Sequence, residues 1–118
     1  MTSLSLETRE EGDSVKIAVS GELDLSSALT FDEEMRRAEE RCPETLVLDL
    51  RRLRFMDSTG LRLIMSAQAR SRTRGRRFAV VLGSDPVKRL FRLAGVNRRL
   101  EIVEHPSAVL GPPPATTA

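Results

Sequence analysis

The chain has 118 residues, 40% of them apolar and 31% charged, and a net charge of +2. That size suits one globular domain around one core and leaves no room for a second, and so small a charge does not by itself imply a polyanionic partner. A lone Cys42 excludes an internal disulfide, Cys42 with the lone His105 falls short of any usual zinc set, and the longest wholly apolar run, from Phe78 to Leu82, is far below the roughly 20 residues of a membrane-spanning helix.

Glu7, Arg9, Glu10, Glu11 and Asp13 leave no place near the start for the apolar centre of a signal peptide. The expectation is a soluble, cytoplasmic protein with no membrane partner. Residues 3–9 and 14–20 read as strands, the second with Val15, Ile17 and Val19 on one face, joined by a polar turn at Gly12 and Asp13. After Gly21-Glu22-Leu23-Asp24 the period changes. Ala28, Phe31, Met35, Ala38 and Cys42 recur at spacings of three and four, predicting a helix that Pro43 stops.

Residues 45–50 form a dense apolar strand, and residues 51–56 read as a turn leading to Asp57-Ser58-Thr59-Gly60, where a second helix begins. Leu61, Ile64, Met65 and Gln68 share one face of it, while Arg62, Ser66 and Arg70 form a polar stripe at i, i+4 and i+8. Gly75 ends that helix. Phe78 to Leu82 predicts another buried strand, Asp85-Pro86 opens a third helix through Leu90, Phe91 and Ala94 that Gly95 closes, and residues 100–103 suggest a last strand. The expected core is Phe31, Met35, Leu46, Leu48, Ile64, Met65, Val80 and Leu82.

Strands followed by helices require parallel crossovers, whereas the opening hairpin is antiparallel. The fold class is therefore α/β, with a mixed sheet of four to five strands flanked by helices, over residues 1–110. Residues 111–118, Gly-Pro-Pro-Pro-Ala-Thr-Thr-Ala, form a tail expected to be disordered.

Of the 19 basic residues only Lys16 and Lys88 are lysine. The cluster Arg70, Arg72, Arg74, Arg76 and Arg77 falls at the predicted end of the second helix, where cations suit the helix dipole, and has no interleaved aromatics for base stacking. No direct nucleic-acid partner is expected.

The segment that carries chemistry is Asp57-Ser58-Thr59-Gly60. The first amides of a helix lack backbone partners, and either Asp57 or Ser58 can cap them. A phosphate on the Ser58 hydroxyl would add a charge of about −1.5 to −2 at a place that partly neutralises it, changing the surface without unfolding the domain. Taken alone, Asp-Ser-Thr is equally a plain capping sequence.

Four motifs occur in order: Gly21-Glu22-Leu23-Asp24, Leu46-Val47-Leu48-Asp49-Leu50, Phe55-Met56-Asp57-Ser58-Thr59-Gly60-Leu61, and Val87 through Val96. On these residues the chain resembles the anti-sigma factor antagonists of the STAS domain family, over roughly residues 4–110. The resemblance implies a mixed sheet flanked by helices and a serine, matching Ser58, phosphorylated by an anti-sigma factor that is also a serine/threonine kinase. It implies a partner surface of Asp24, Asp57, Ser58, Thr59, Gly60 and Arg62, although Asp24 also reads as a helix-capping carboxylate near Ser26. ATP belongs to the kinase, so the chain itself needs no cofactor and is no enzyme. A reversible switch further requires a phosphatase.

Three features depart from the family pattern. Arg62 stands where many relatives have glycine, one turn beyond Ser58, and its guanidinium either pairs with a phosphoserine or crowds a docking kinase. Thr59 offers a second hydroxyl, and the segment after His105 is too short for the further helix usual in relatives. Two other readings remain: an adaptor STAS subunit of a larger, transporter- or signalling-associated complex without a covalent switch, and a serine hydrolase with Ser58 as nucleophile and His105 as base. The latter lacks a Gly-x-Ser-x-Gly elbow.

Overall fold

The computed structural model describes residues 3–110; the tail expected to be disordered, 111–118, lies outside the described residues. Strands β1 (Leu4–Glu11) and β2 (Ser14–Leu23) form the antiparallel hairpin that the sequence suggests. Its turn places Gly12 at φ 63°, a left-handed conformation that glycine adopts without a Cβ penalty. The chain then alternates α1 (Ala28–Glu39), β3 (Thr45–Met56), α2 (Ser58–Thr73), β4 (Arg77–Leu82), α3 (Asp85–Ala94) and β5 (Glu101–Val103). The strands lie in the order β1-β2-β3-β4-β5, every pair after the hairpin being parallel.

Register aligns one apolar row across the sheet: Val15 faces Leu46, Leu46 faces Phe78, Ile17 faces Leu48, Leu48 faces Val80, and Val80 faces Ile102. On this row pack Phe31, Met35 and Ala38 of α1, Leu61, Ile64 and Ala67 of α2, and Val87 and Phe91 of α3, forming one core. Full burial of each large side chain contributes about 1.5–3 kcal/mol. Gly95, at φ 70°, closes α3 as expected.

Four local expectations change. Residues 51–56 are not a turn but the continuation of β3, which carries Leu53 and Met56 into the core. Cys42 is exposed at φ 53°, because α1 ends at Glu39 and the chain has already turned. On α2 the buried line runs through Gly60, Leu61, Ile64, Ala67 and Ser71, so Met65 and Gln68 sit half-buried at its border. Leu82, at the end of β4, is also only half-buried. The other six expected core residues are buried.

The rim at the start of the parallel strands is tied together. The Glu44 N–H donates to Asp13 O (2.8 Å), the Arg77 N–H to Glu44 O (3.0 Å), and Arg76 Nε to Pro43 O (3.0 Å). A bidentate pair from Arg70 to Glu39, at 2.7 and 2.8 Å, joins α2 to α1 above it.

Candidate functional site

At the opposite rim, β2 and β3 end side by side with Leu23 paired to Met56, and the Asp57 N–H donates to Leu23 O at 3.1 Å. The chain therefore leaves the sheet at Asp24 and at Asp57 from adjacent positions. Because α1 and α2 begin just beyond, their first turns share this rim, where open α/β sheets place their ligands.

Asp57 is the N-cap of α2. Its extended backbone turns Oδ1 onto the Thr59 N–H (2.9 Å) and the Gly60 N–H (3.2 Å), satisfying two otherwise unpaired helix donors. Of the two capping candidates the aspartate does the work. Ser58, the first residue of α2, is exposed, and its hydroxyl makes no hydrogen bond among the described residues. Thr59 is half-buried behind it.

Gly60 is buried. A Cβ there would lie 2.8 Å from Leu23 Cγ and 2.9 Å from Met56 Cγ, so the missing side chain lets α2 start directly against the ends of β2 and β3. Grouped from the sequence with the partner-facing residues, it acts inward and positions the turn. Arg62, one helical turn from Ser58, is exposed and has no ion pair among the described residues.

Asp24 is half-buried and organises the β2–α1 turn: its Oδ1 accepts from the Ser26 N–H (3.0 Å) and the Ser26 hydroxyl (2.7 Å), while its own N–H donates to Ser27 Oγ (3.1 Å). The Ser27 hydroxyl donates to Glu22 O at 3.0 Å. Asp24 thus braces the turn before α1, whose N-cap, Ser27, makes no side-chain cap bond.

A family model described as "Mlab, STAS domain" matches residues 6–109, nearly all of the described chain. The chain belongs to the STAS domain family. This STAS domain is 31% identical over 101 residues to a protein of Listeria monocytogenes named anti-sigma-B factor antagonist, covering 85% of this chain and 89% of that one. It is 21% identical to the crystal structure of an anti-sigma factor antagonist from Mycobacterium paratuberculosis, with a TM-score of 0.85 over 92% of each chain. The Bacillus cell fate determinant SpoIIAA, solved in its phosphorylated form, shares the fold at a TM-score of 0.66 and 21% identity, over 91% of this chain and 96% of that one. The mixed sheet expected from the motifs is thus that of STAS structures.

The STAS domain offers no support for a serine hydrolase. His105 is exposed, its Nδ1 accepts from the Ser107 N–H at 3.1 Å, and no hydrogen bond joins it to Ser58 among the described residues. Among the described residues after it, the chain forms a short 3-10 turn, Pro106–Ala108. The arginine cluster is also divided: Arg70 pairs with Glu39, Arg77 with Glu101, and Arg76 binds backbone carbonyls, leaving Arg72 and Arg74 outward. No described helix is long and apolar enough to cross a membrane.

Apart from the site, Asp49 on β3 is buried and held by Arg51, whose backbone N–H (3.1 Å), Nε (2.9 Å) and Nη2 (2.9 Å) all donate to its carboxylate. Burial alone would raise the Asp49 carboxyl, but the Arg51 hydrogen bonds and charge, with the charge of Lys16, hold it below the ordinary range.

Sequence reasoning missed one feature of the rim. Leu25 is 77% exposed, Leu29 70% and Phe55 45%, and all three flank the β2 and β3 ends. The signal for one of them was present, since Leu29 stands off the apolar row of α1.

Proposed function

We propose that this STAS domain is an anti-sigma factor antagonist working as a phosphorylatable binding switch at Ser58. The observation that carries the reading is the division of labour at the start of α2: Asp57 does the capping, which leaves the exposed Ser58 hydroxyl free to react. The name of the Listeria relative supplies the partner class, an anti-sigma factor. In the unmodified state the rim around Asp24, Ser58 and Arg62 occupies an anti-sigma factor and releases a sigma factor.

The anti-sigma factor is also a serine/threonine kinase. It transfers the γ-phosphoryl group of ATP to Ser58 Oγ; the hydroxyl proton passes to a kinase base, and ADP leaves. The new near-dianion sits at a helix N-terminus that tolerates it, so the fold survives. In the interface, however, the phosphate must shed water beside Asp57 and Asp24, a cost of several kcal/mol without compensating cations. A loss of about 2.8 kcal/mol already weakens binding a hundredfold. A phosphatase resets the switch, and the cycle runs in the cytoplasm with no cofactor on this chain.

The test is incubation with the native kinase and ATP, read by intact mass and by binding. Wild type should gain one phosphate at Ser58 and lose affinity. Ser58→Ala should bind and resist release by ATP, and Ser58→Asp should bind weakly. Full phosphorylation of Ser58→Ala would move the target to Thr59 or elsewhere. Undiminished binding of phosphorylated wild type would return the domain to the adaptor reading.

A further inference from the structure

We infer that Arg62 is a clamp within the chain for the phosphate on Ser58, a cation left unengaged in the unmodified protein and paired only after modification. The inference rests on the preceding reading and adds to it the group that receives the phosphate. Ser58 is exposed with a hydroxyl that makes no hydrogen bond, and Arg62 is exposed with no hydrogen bond or ion pair among the described residues.

Their positions make them partners. Ser58 is the first residue of α2, so Arg62 stands four residues on, on the same face and one turn along. Side chains on a helix slope toward its N-terminus, and a long side chain at position 62 therefore reaches back over the turn that begins at Ser58. An anion N-terminal to a cation at this spacing is also the favourable order. On α1 the same chain fills such spacings with carboxylates: Arg36 pairs with Asp32, four residues before it, at 3.1 Å, and Arg37 with Glu34, three before it, at 2.6 Å. On α2 the place of the carboxylate is taken by Ser58. Nothing on that helix competes, because α2 contains no aspartate or glutamate, and the residues three and four away from Arg62 are Ser58, Thr59, Met65 and Ser66.

A phosphate on Ser58 brings three acceptor oxygens and a charge of about −1.5 to −2, which a guanidinium meets with two parallel N–H bonds. One guanidinium offsets about half of that charge, so the repulsion behind partner release survives. The clamp acts on the ionisation of the phosphate. The Asp57 carboxylate beside it disfavours the second negative charge, whereas the pair with Arg62 favours it and keeps the modified state a dianion at neutral pH. Asp24 and the Arg54–Glu22 pair (3.9 Å) also stand near these chain exits.

The test uses the full chain with phosphoserine encoded genetically at position 58, which needs no kinase, and follows the phosphate by phosphorus NMR from pH 4 to pH 8. Asp24, Asp57, Glu22 and Arg54 are common to every variant, so differences isolate position 62. Arg62→Gln should raise the second pKa of the phosphate by about 0.5, and Arg62→Lys, which keeps the charge without the planar fork, should raise it by less. Arg72→Gln, near the far end of α2 and about 21 Å from Ser58, should leave it within about 0.1 of wild type. A phosphate that titrates alike in wild type and Arg62→Gln, or that responds as strongly to Arg72→Gln, overturns the clamp and leaves the switch reading standing. In a second arm the native kinase and ATP are added to the unmodified chain. Ser58 left unmodified there overturns the switch reading, and the role of the clamp with it, whatever the titration shows.

Discussion

Replacing Asp57 by alanine separates the cap from the Ser58 hydroxyl. Its carboxylate accepts two backbone N–H groups, at 2.9 and 3.2 Å, and one of them belongs to the buried Gly60. Loss of an ordinary N-cap costs about 1 kcal/mol, and leaving a buried donor unsatisfied adds about 1–3 kcal/mol. Removing an anion from a helix N-terminus costs a further ~0.3–1 kcal/mol. These contributions reach about 2–5 kcal/mol, and because the half-buried Thr59 amide recovers part of its solvation the expected total lies at the lower end, about 2–3 kcal/mol. For a domain of this size that is roughly 8–12 °C in Tm, from about 4 °C per kcal/mol. Ser58→Ala, which removes a hydroxyl without a described partner, should stay within about 0.5 kcal/mol of wild type. Urea unfolding of both variants at neutral pH measures the contrast, and Asp57→Asn should recover about half of the loss. If Ser58→Ala is destabilised as much as Asp57→Ala, the hydroxyl shares the cap and the free-hydroxyl argument fails.

Gly60→Ala should cost about 1–3 kcal/mol, since its Cβ would meet Leu23 and Met56 below 3 Å, and should weaken partner binding by tilting α2; a neutral thermal shift would show that the junction yields. Acid should destabilise the domain through Asp49 and Glu101, the latter lowered by its hydrogen bond from Arg77. Both carboxyls bind protons less readily folded than unfolded, so their stabilisation is present above the ordinary carboxylate range and is lost as pH falls through their lowered native values. The stability gap between wild type and Asp49→Asn, followed by urea midpoints from pH 6 to pH 2, should therefore shrink on acidification, and a constant gap would refute the linkage. Duplex DNA should bind no better than micromolar at physiological salt, the non-specific range, because the arginine cluster is largely engaged internally; a nanomolar, sequence-selective complex in a mobility-shift assay would contradict this.

The hairpin, the three helices and the Asp57–Ser58 junction were legible because each has a local cause: alternation in Val15-Ile17-Val19, a three-and-four spacing from Ala28 to Ala38, a capping residue before Ser58. The second half of β3 was not. There the pairing with β2 shifts between Ala18 and Ser20 and again between Gly21 and Glu22, so β3 carries extra residues and its alternation breaks at Arg51-Arg52 and at Arg54-Phe55. A period-two reading sees a polar run where the backbone continues. The phase of α2 was slightly misjudged for another reason: the residues that face the sheet include Gly60, Ala67 and Ser71, small enough to allow close approach, and a hydrophobicity pattern favours Met65 over them. The role of Asp24 beside Ser26 was legible because its partners are two and three residues away, whereas that of Gly60 depended on Leu23, far back along the chain. The exposed leucines were in view but unassigned, since only packing shows which apolar residues stay outside.

The tied rim opposite Ser58 has a practical consequence. Gly75 lies there at φ 70°, with nothing within 4 Å of a side chain built on it, between Arg74 and the Arg76 that anchors the turn to Pro43. Because the β1–β2, α1–β3 and α2–β4 connections at that end are fastened to one another, cargo attached at the exposed Arg74 beside it, whose φ of −91° suits any side chain, would hang from a stiff base and face away from Ser58. The domain is thus divided lengthwise into a handle and a working tip, and a fluorophore, an immobilising linker or a fused module fits on the handle without shading the tip.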